Sequence, residues 1–357
     1  MNETTKPLPS SAILPPRTKL YRAAIVGAAS LRGKELAEML NERNFPAADI
    51  RLLDDDESLG QLEAMGDEIS FIQRVRAEQF ENVDFTFFAC DAQSTRRSWK
   101  DARDAGSTII DLSSVLEDEP NATVRSLWVE RERGHIAAPE LQPGPCVTAH
   151  PLAVMLALLL LRAGKAAAIH RAVATLFEPA SEHGQRGMDE LHQQTVNLLS
   201  FQPLPKDVFD AQVAFNLLAR YGQASEPTLD SIESRVLRHY RKIAGAEAVQ
   251  PSVMLLQAPI FHSHALALYL ELESTADVDT LAPALTGDHV ILPSSDDPPN
   301  NVSAAGQPDI LVSVKKDAMQ PNGLWIWAAA DNLRISSLTA VECAESMMAT
   351  RTTGKIQ

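Results

Sequence analysis

Apolar residues first gather in a short run, Ala23-Ala24-Ile25-Val26, that ends in Gly27. Leu31, Leu36, Met39 and Leu40 follow roughly at helix spacing, so a strand, a turn and a helix are expected from Tyr21 onward. Residues 50–53, 83–89, 108–112 and 146–149 are further short apolar runs. Strands alternating with helices in ~30-residue units predict an α/β fold with a doubly wound parallel sheet.

Past Pro151 the pattern changes. A buried helix over 153–161 leads to a strand over 168–177. Residues 187–199 predict an amphipathic helix with Met188, Leu191, Thr195 and Leu198 on one face. Strands are expected over 252–261, 264–272, 310–314 and 324–330, and a helix from Asp331 to about Met348. The stretch 286–309, rich in Pro, Ser, Asn and Gly, predicts a long surface loop. Residues 1–18 are polar, carry Pro7, Pro9, Pro15 and Pro16, and predict a mobile tail.

Composition narrows the possibilities. A chain of 357 residues exceeds the ~250–300 that one core usually serves, so two domains are expected, divided at Pro151. With 47 Asp+Glu against 32 Lys+Arg the net charge is −15, which argues against nucleic acid or an anionic membrane as partner. Cys90, Cys146 and Cys343 are too few and too scattered for a disulfide framework, so a reducing, cytoplasmic setting is expected. The N-terminus has no apolar signal segment, and the longest apolar run, 152–161, is about half the ~20 residues that span a bilayer.

Three groups of residues could carry chemistry. Gly27-Ala28-Ala29-Ser30-Leu31-Arg32-Gly33 joins a strand to a helix, where free N–H groups and the helix dipole can hold a diphosphate; a tight structural turn is the other reading. Asp54-Asp55-Asp56-Glu57 ends the next strand. An acid such as Asp54 can take a ribose 2′-hydroxyl and repels a 2′-phosphate, so NAD is favoured over NADP if either binds; a solvated acidic turn is the alternative. His262 and His264 flank Ser263, and alternation would put both on one face. No other ligands cluster with them, so no metal is expected and a general base or packing role is preferred.

Together these pieces resemble the aspartate-β-semialdehyde dehydrogenase family from about Tyr21 to Met348. Residues 27–33 resemble its GATGAVG loop, Asp111-Leu112-Ser113-Ser114 its DNSS and Pro139-Glu140-Leu141 its PEVN. Thr148-Ala149-His150-Pro151 stands where the family has IANPNCST, and residues 187–195 match its GxxELxxQT helix. Ala214-Phe215-Asn216-Leu217-Leu218 resembles AFNLIP, residues 258–264 resemble VPVFxGHS, and Asp331-Asn332-Leu333-Arg334 matches DNLRKGAA.

The resemblance implies a Rossmann domain over 19–151 plus the returning segment 331–357. It also implies a second α/β domain over 152–330, with a mixed sheet used for substrate binding and for a homodimer. It implies NADP-dependent reductive dephosphorylation of aspartyl phosphate through a cysteine thioacyl intermediate, with a histidine as acid/base and arginines on the substrate carboxylate and phosphate. Position by position, the histidine falls on His264, Asn332 falls in the cofactor region, and the nucleophile falls on Ala153, whose methyl cannot add to a carbonyl. The substrate arginine falls on Gln257, the phosphate arginine on Glu117, the second-domain glutamine on Glu178 and the phosphate-side lysine on Arg235. Cys146 lies on the preceding strand and is read as packing. The expectation is a diverged, Usg-type paralogue that lacks the catalytic cysteine and acts as a dimeric binding protein for an unidentified ligand. The alternative is an NAD-dependent oxidoreductase using His264 as acid/base with no covalent thioester.

Overall fold

The computed structural model describes residues 20–55, 60, 62–65, 68–136, 144–275, 277–294 and 297–348. The expected tail, the acids Asp56 and Glu57, and Pro139-Glu140-Leu141 lie outside the described residues.

In chain order the first part comprises β1 (Tyr21–Val26), α1 (Leu31–Glu42), β2 (Ala47–Asp54), β3 (Leu62–Met65), β4 (Glu68–Phe71), β5 (Gln73–Arg74), β6 (Phe85–Phe88), α2 (Ala92–Asp104), β7 (Thr108–Asp111), β8 (Thr123–Arg125), α3 (Leu127–Glu132) and β9 (Cys146–Thr148). A seven-stranded sheet runs β5-β2-β1-β6-β7-β9-β8, every neighbouring pair parallel. β6 reads Phe-Thr-Phe-Phe and is buried at every position, as a central strand covered by helices on both faces must be. The expected strand over 83–89 is therefore shorter, with its ends in the loops.

The second part follows α4 (Pro151–Ala166): β10 (Ile169–Glu178), α5 (Gly184–Leu199), α6 (Leu229–Ala244), β11 (Ser252–Gln257), β12 (His264–Leu272), α7 (Val278–Leu285), β13 (Val290–Ile291), α8 (Asn301–Ala304), β14 (Ile310–Lys316), β15 (Gly323–Ala330) and α9 (Asn332–Met347). Its six strands run β11-β10-β12-β15-β14-β13, parallel at β10–β11 and β13–β14 and antiparallel elsewhere. The fold class is thus α/β, with a Rossmann-type parallel sheet and a mixed sheet.

α4 is apolar all round and buried from Pro151 to Leu160, because it packs between α6, α7, α3 and α9 rather than facing solvent on one side. α9 returns to the first sheet and packs on α1, β7 and β9. Asp331 caps it by accepting the N–H groups of Leu333 and Arg334.

Three expectations are corrected. β11 stops at Gln257 because Pro259 has no N–H for a ladder. His262 consequently lies in a bend, Ser263 takes φ 72°, and only His264 opens β12, so the two histidines do not share a strand face. α5 buries Leu191 and packs Met188 and Leu198 on the core as expected, and it also buries Gly187, Glu190 and Gln194. Gln194 accepts from Val213 and Ala214 and donates to the Pro205 and Ala211 carbonyls, so this face clamps a loop. The long loop over 286–309 contains β13 and the short capped helix α8.

Candidate functional site

The turn after β1 needs its glycines for close approach. A Cβ on Gly27, at φ +86°, would meet the Cys90 backbone at 2.6 Å, and one on Gly33 would meet the Gly27 carbonyl at 2.1 Å. Gly27 N and Ala28 N both donate to the Leu53 carbonyl. Ser30 caps α1 by accepting from Gly33 N, and its hydroxyl donates to the Ala89 carbonyl. Asp54 does not reach outward: one oxygen accepts from Ala29 N at 2.7 Å and the other from Asp55 N at 2.8 Å. Beside it, Asp91 caps α2, and Asp55 and Asp91 both accept from the Ser94 hydroxyl, with Arg97 pairing Asp55. A diphosphate would meet a loop N–H already taken by a carboxylate and two further acids nearby. These residues do not fit a dinucleotide.

A second group gathers where the two sheets meet. Glu178 ends β10, His264 opens β12, His150 precedes α4 and Ala153 lies in the first turn of that helix. Glu182 and His183 come from a single 3-10 turn after β10. Arg32 on α1 reaches Glu182 at 2.5 Å. Asn332 donates to Glu182 at 2.9 Å, while its carbonyl oxygen accepts from Ser181 Oγ and Ser263 N. Two of the residues expected near a cofactor, Arg32 and Asn332, therefore hold Glu182 in place.

Glu178 and His264 are fully buried, and Ala153 has no exposed surface. The two histidine rings lie 5.4 Å apart, and His150 Nε2 and His264 Nε2 lie 3.8 and 4.0 Å from Glu182. Burial, with Glu182 beside it, pushes the Glu178 carboxyl well above the usual carboxylate range. Burial acts to raise Glu182 too, but Arg32, His150 and His264 hold it well below that range. Burial pushes His264 and His183 down to about 4.

Gln257 is consumed by the chain itself. Its carbonyl oxygen accepts from the Tyr221 hydroxyl at 2.7 Å, and its amide donates to the Glu178 and Ala258 carbonyls at 2.9 Å each. The Tyr221 hydroxyl in turn meets His183 Nε2 at 2.9 Å. Both amide N–H groups are taken, so the side chain keeps no donor for a ligand anion.

Glu117 and Arg235 meet each other. The Glu117 carboxylate accepts from Arg235 at 3.2 Å, Arg238 at 2.7 Å and His239 at 3.0 Å. His239 Nδ1 accepts from the His150 backbone N–H at 2.9 Å, so the ring relays Glu117 to the start of α4. Burial opposes the charge on Glu117, but His239 and Arg238 win and hold its carboxyl well below the usual range. Glu117→Gln is expected to destabilise the fold by about 1–3 kcal/mol, below the usual cost of breaking a buried pair because both arginines are partly exposed. Urea melts at neutral pH check this; an unchanged midpoint would contradict it.

Tyr221 and His239 were not singled out from the sequence, and His150 entered only as part of a family-like segment, without a role. For His150 a signal was present: an imidazole directly before the proline that starts a buried helix.

Residues 22–143 match the family described as "Semialdehyde dehydrogenase, NAD binding domain", and residues 161–335 match "Semialdehyde dehydrogenase, dimerisation domain". The chain belongs to the semialdehyde dehydrogenase family. Within it, the chain is 31% identical to the USG-1 protein homolog of Pseudomonas aeruginosa, over 91% of this chain and 97% of that one. It is 28% identical to the aspartate-semialdehyde dehydrogenase of Rickettsia bellii, over 93% and 99%. A probable aspartate-semialdehyde dehydrogenase structure from Pseudomonas aeruginosa superposes with a TM-score of 0.81 at 29% identity, covering 92% of this chain and 98% of that one. The aspartate semialdehyde dehydrogenase II of Vibrio cholerae, at 23% identity, 93% and 99% coverage and a TM-score of 0.80, supports the fold alone. Among the described residues no helix is long and apolar enough to cross a membrane.

Proposed function

We propose that this member of the semialdehyde dehydrogenase family is a non-catalytic, homodimeric binding protein that has lost the dephosphorylating reduction of aspartyl phosphate. The observation that carries the reading is Ala153: a methyl with no exposed surface occupies the position matched to the family's nucleophile. A hydrocarbon offers no electron pair to a carbonyl. The neighbouring geometry supports it. Both N–H donors of Gln257 are taken by backbone carbonyls, and Arg235 is bound by Glu117, so both positions matched to anion-binding cations now make internal bonds. Cys146 is buried beside Cys343 in the first sheet's packing and supplies no substitute thiol.

A homodimer fits the exposed apolar surface of the second part. Phe201 is 96% exposed, and Phe215, Leu217, Met254 and Phe261 are also open to solvent. All five fall within the dimerisation-domain match, where association would cover them.

The test is titration of the purified protein with NAD and with NADP, followed by tryptophan fluorescence and by melting temperature. Neither nucleotide is expected to shift either signal, because Asp54, Asp55 and Asp91 crowd the glycine turn. Saturable binding of NAD would favour the oxidoreductase reading and would overturn this one.

A further inference from the structure

We propose that His150, Glu178 and His264 form a binding site for one divalent transition-metal ion, with Zn²⁺ the best match. The inference deepens the non-catalytic reading and rests on it, since it gives the retained acid/base position, His264, a binding role.

The three residues come from three separate elements, and their candidate ligand atoms all lie within 4.8 Å of one another. Each is buried, His150 at 6% exposure and the other two at 0%. His150 Nε2, both nitrogens of His264 and both oxygens of Glu178 have no hydrogen-bond partner in the structure. Buried polar atoms are almost always satisfied, so a convergent group without partners calls for something that fills it. Two imidazoles and a carboxylate are a common donor set for zinc.

Geometry supports one small ion. Zinc–ligand bonds of ~2.0–2.2 Å set tetrahedral donors ~3.3–3.5 Å apart, so the side chains need to close by at most about 1.5 Å. The backbone is ready for this. β10 and β12 are antiparallel neighbours paired at Phe177 and Ala265, which puts Glu178 and His264 side by side at one end of the ladder. His264 can present either nitrogen. His150 coordinates through Nε2, which moves its proton to Nδ1 and opens the 3.3 Å contact from the Leu152 N–H. That contact is already long for a hydrogen bond.

The charges agree. The nearby cations are committed elsewhere, Arg32 to Glu182 and Arg235 to Glu117. Glu178 accepts from neither, and its nearest cation-capable neighbour, His183 Nε2, is 3.6 Å away, so a dication that displaces its proton would meet a carboxylate with no hydrogen-bond partner, with the Glu182 charge just behind it. Glu182 lies close enough to both imidazoles to hold a water on the open fourth position.

The experiment is equilibrium dialysis of the full chain against Zn²⁺ and, separately, Co²⁺, after stripping with a chelator. The expected result is one ion per protomer, with visible Co²⁺ bands of a low-coordinate site. Glu178→Gln and His264→Ala are each expected to weaken binding at least about 100-fold, and His192→Ala, on the exposed face of α5, is expected to change nothing. Glu178→Gln keeps the side-chain shape, so it reports on the ligand even if His264→Ala misfolds. X-ray absorption of the zinc-loaded wild-type protein should count two imidazoles. Absence of stoichiometric binding, undiminished binding in both variants, or a sulfur-rich shell would each overturn the proposal. None of these outcomes would restore NADP-dependent turnover, so the non-catalytic reading stands or falls separately, on its own assays.

Discussion

Ala153→Cys is expected to leave aspartate semialdehyde, phosphate and NADP unreacted. The substitution returns a sulfur to the first turn of α4, one turn from His150 and near His264, and so repairs the simplest of the losses. It does not return the charges. An arginine bound bidentately to a carboxylate or phosphate contributes roughly 1.5–3 kcal/mol. On the proposed reading Gln257 and Glu117 stand in place of two such groups, so the introduced thiol would still lack about 3–6 kcal/mol of substrate and phosphate binding. That corresponds to about 10²–10⁴ in kcat/KM, before the poor fit of the glycine turn to the cofactor is counted. NADPH formation followed by absorbance is the readout, with alkylation of the introduced thiol as a control for its accessibility. Turnover near that of an active relative would show that the anion positions had been matched wrongly and would sink the non-catalytic reading.

The parts of the fold readable along the chain are those where one local rule dominates. β1 and α1 follow from Ala23 to Val26, the Gly27 turn and the spacing of Leu36, Met39 and Leu40, all buried in the structure. α9 follows from its Asp331 cap. α6 went unpredicted even though Leu229, Ile232, Val236, Tyr240 and Ile243 recur at helical spacing and are all buried. That omission hid Arg238 and His239, the two residues besides Arg235 that hold Glu117. α5 was legible only in part: Met188, Leu191 and Leu198 pack on the core, but Glu190 and Gln194 beside them serve loop amides that no periodicity reveals. The candidate site shows the same limit more strongly. His264, Glu178 and Gln257 could be located by resemblance to a family. That Gln257 would accept from Tyr221, or that Glu182 would be wedged between Arg32, Asn332 and two histidines, depends on contacts between residues far apart in sequence. A polar residue with a tertiary partner looks, in sequence, the same as one facing solvent.

The buried cluster should titrate in two opposing directions, and single substitutions separate them. His264 in the folded chain sits at about 4, against 6.5 when exposed. Below pH 6.5 the unfolded chain gains a proton that the folded chain does not, so this residue costs stability progressively as pH falls from 6.5 towards 4. At 1.36 kcal/mol per pH unit the cost reaches about 3 kcal/mol near pH 4. His264→Gln removes the titration, so its stability relative to wild type should rise by about 3 kcal/mol between pH 7 and pH 4. That is a large fraction of the ~5–15 kcal/mol that holds a domain folded. Glu178 has the opposite sign. Its folded pKa is raised above 4.5 by burial and by Glu182, so the folded chain keeps a proton that the unfolded chain releases as pH rises. Its stabilising contribution is present at low pH and is lost as pH climbs through and beyond 4.5. Glu178→Gln, which cannot ionise, should therefore gain on wild type as pH increases. Urea unfolding of chelator-stripped wild type and both variants at intervals from pH 4 to pH 8 gives the two differences directly. If both stripped variants drift the same way with pH, then His264 and Glu178 do not share a dry, uncompensated site, and water already balances their charges.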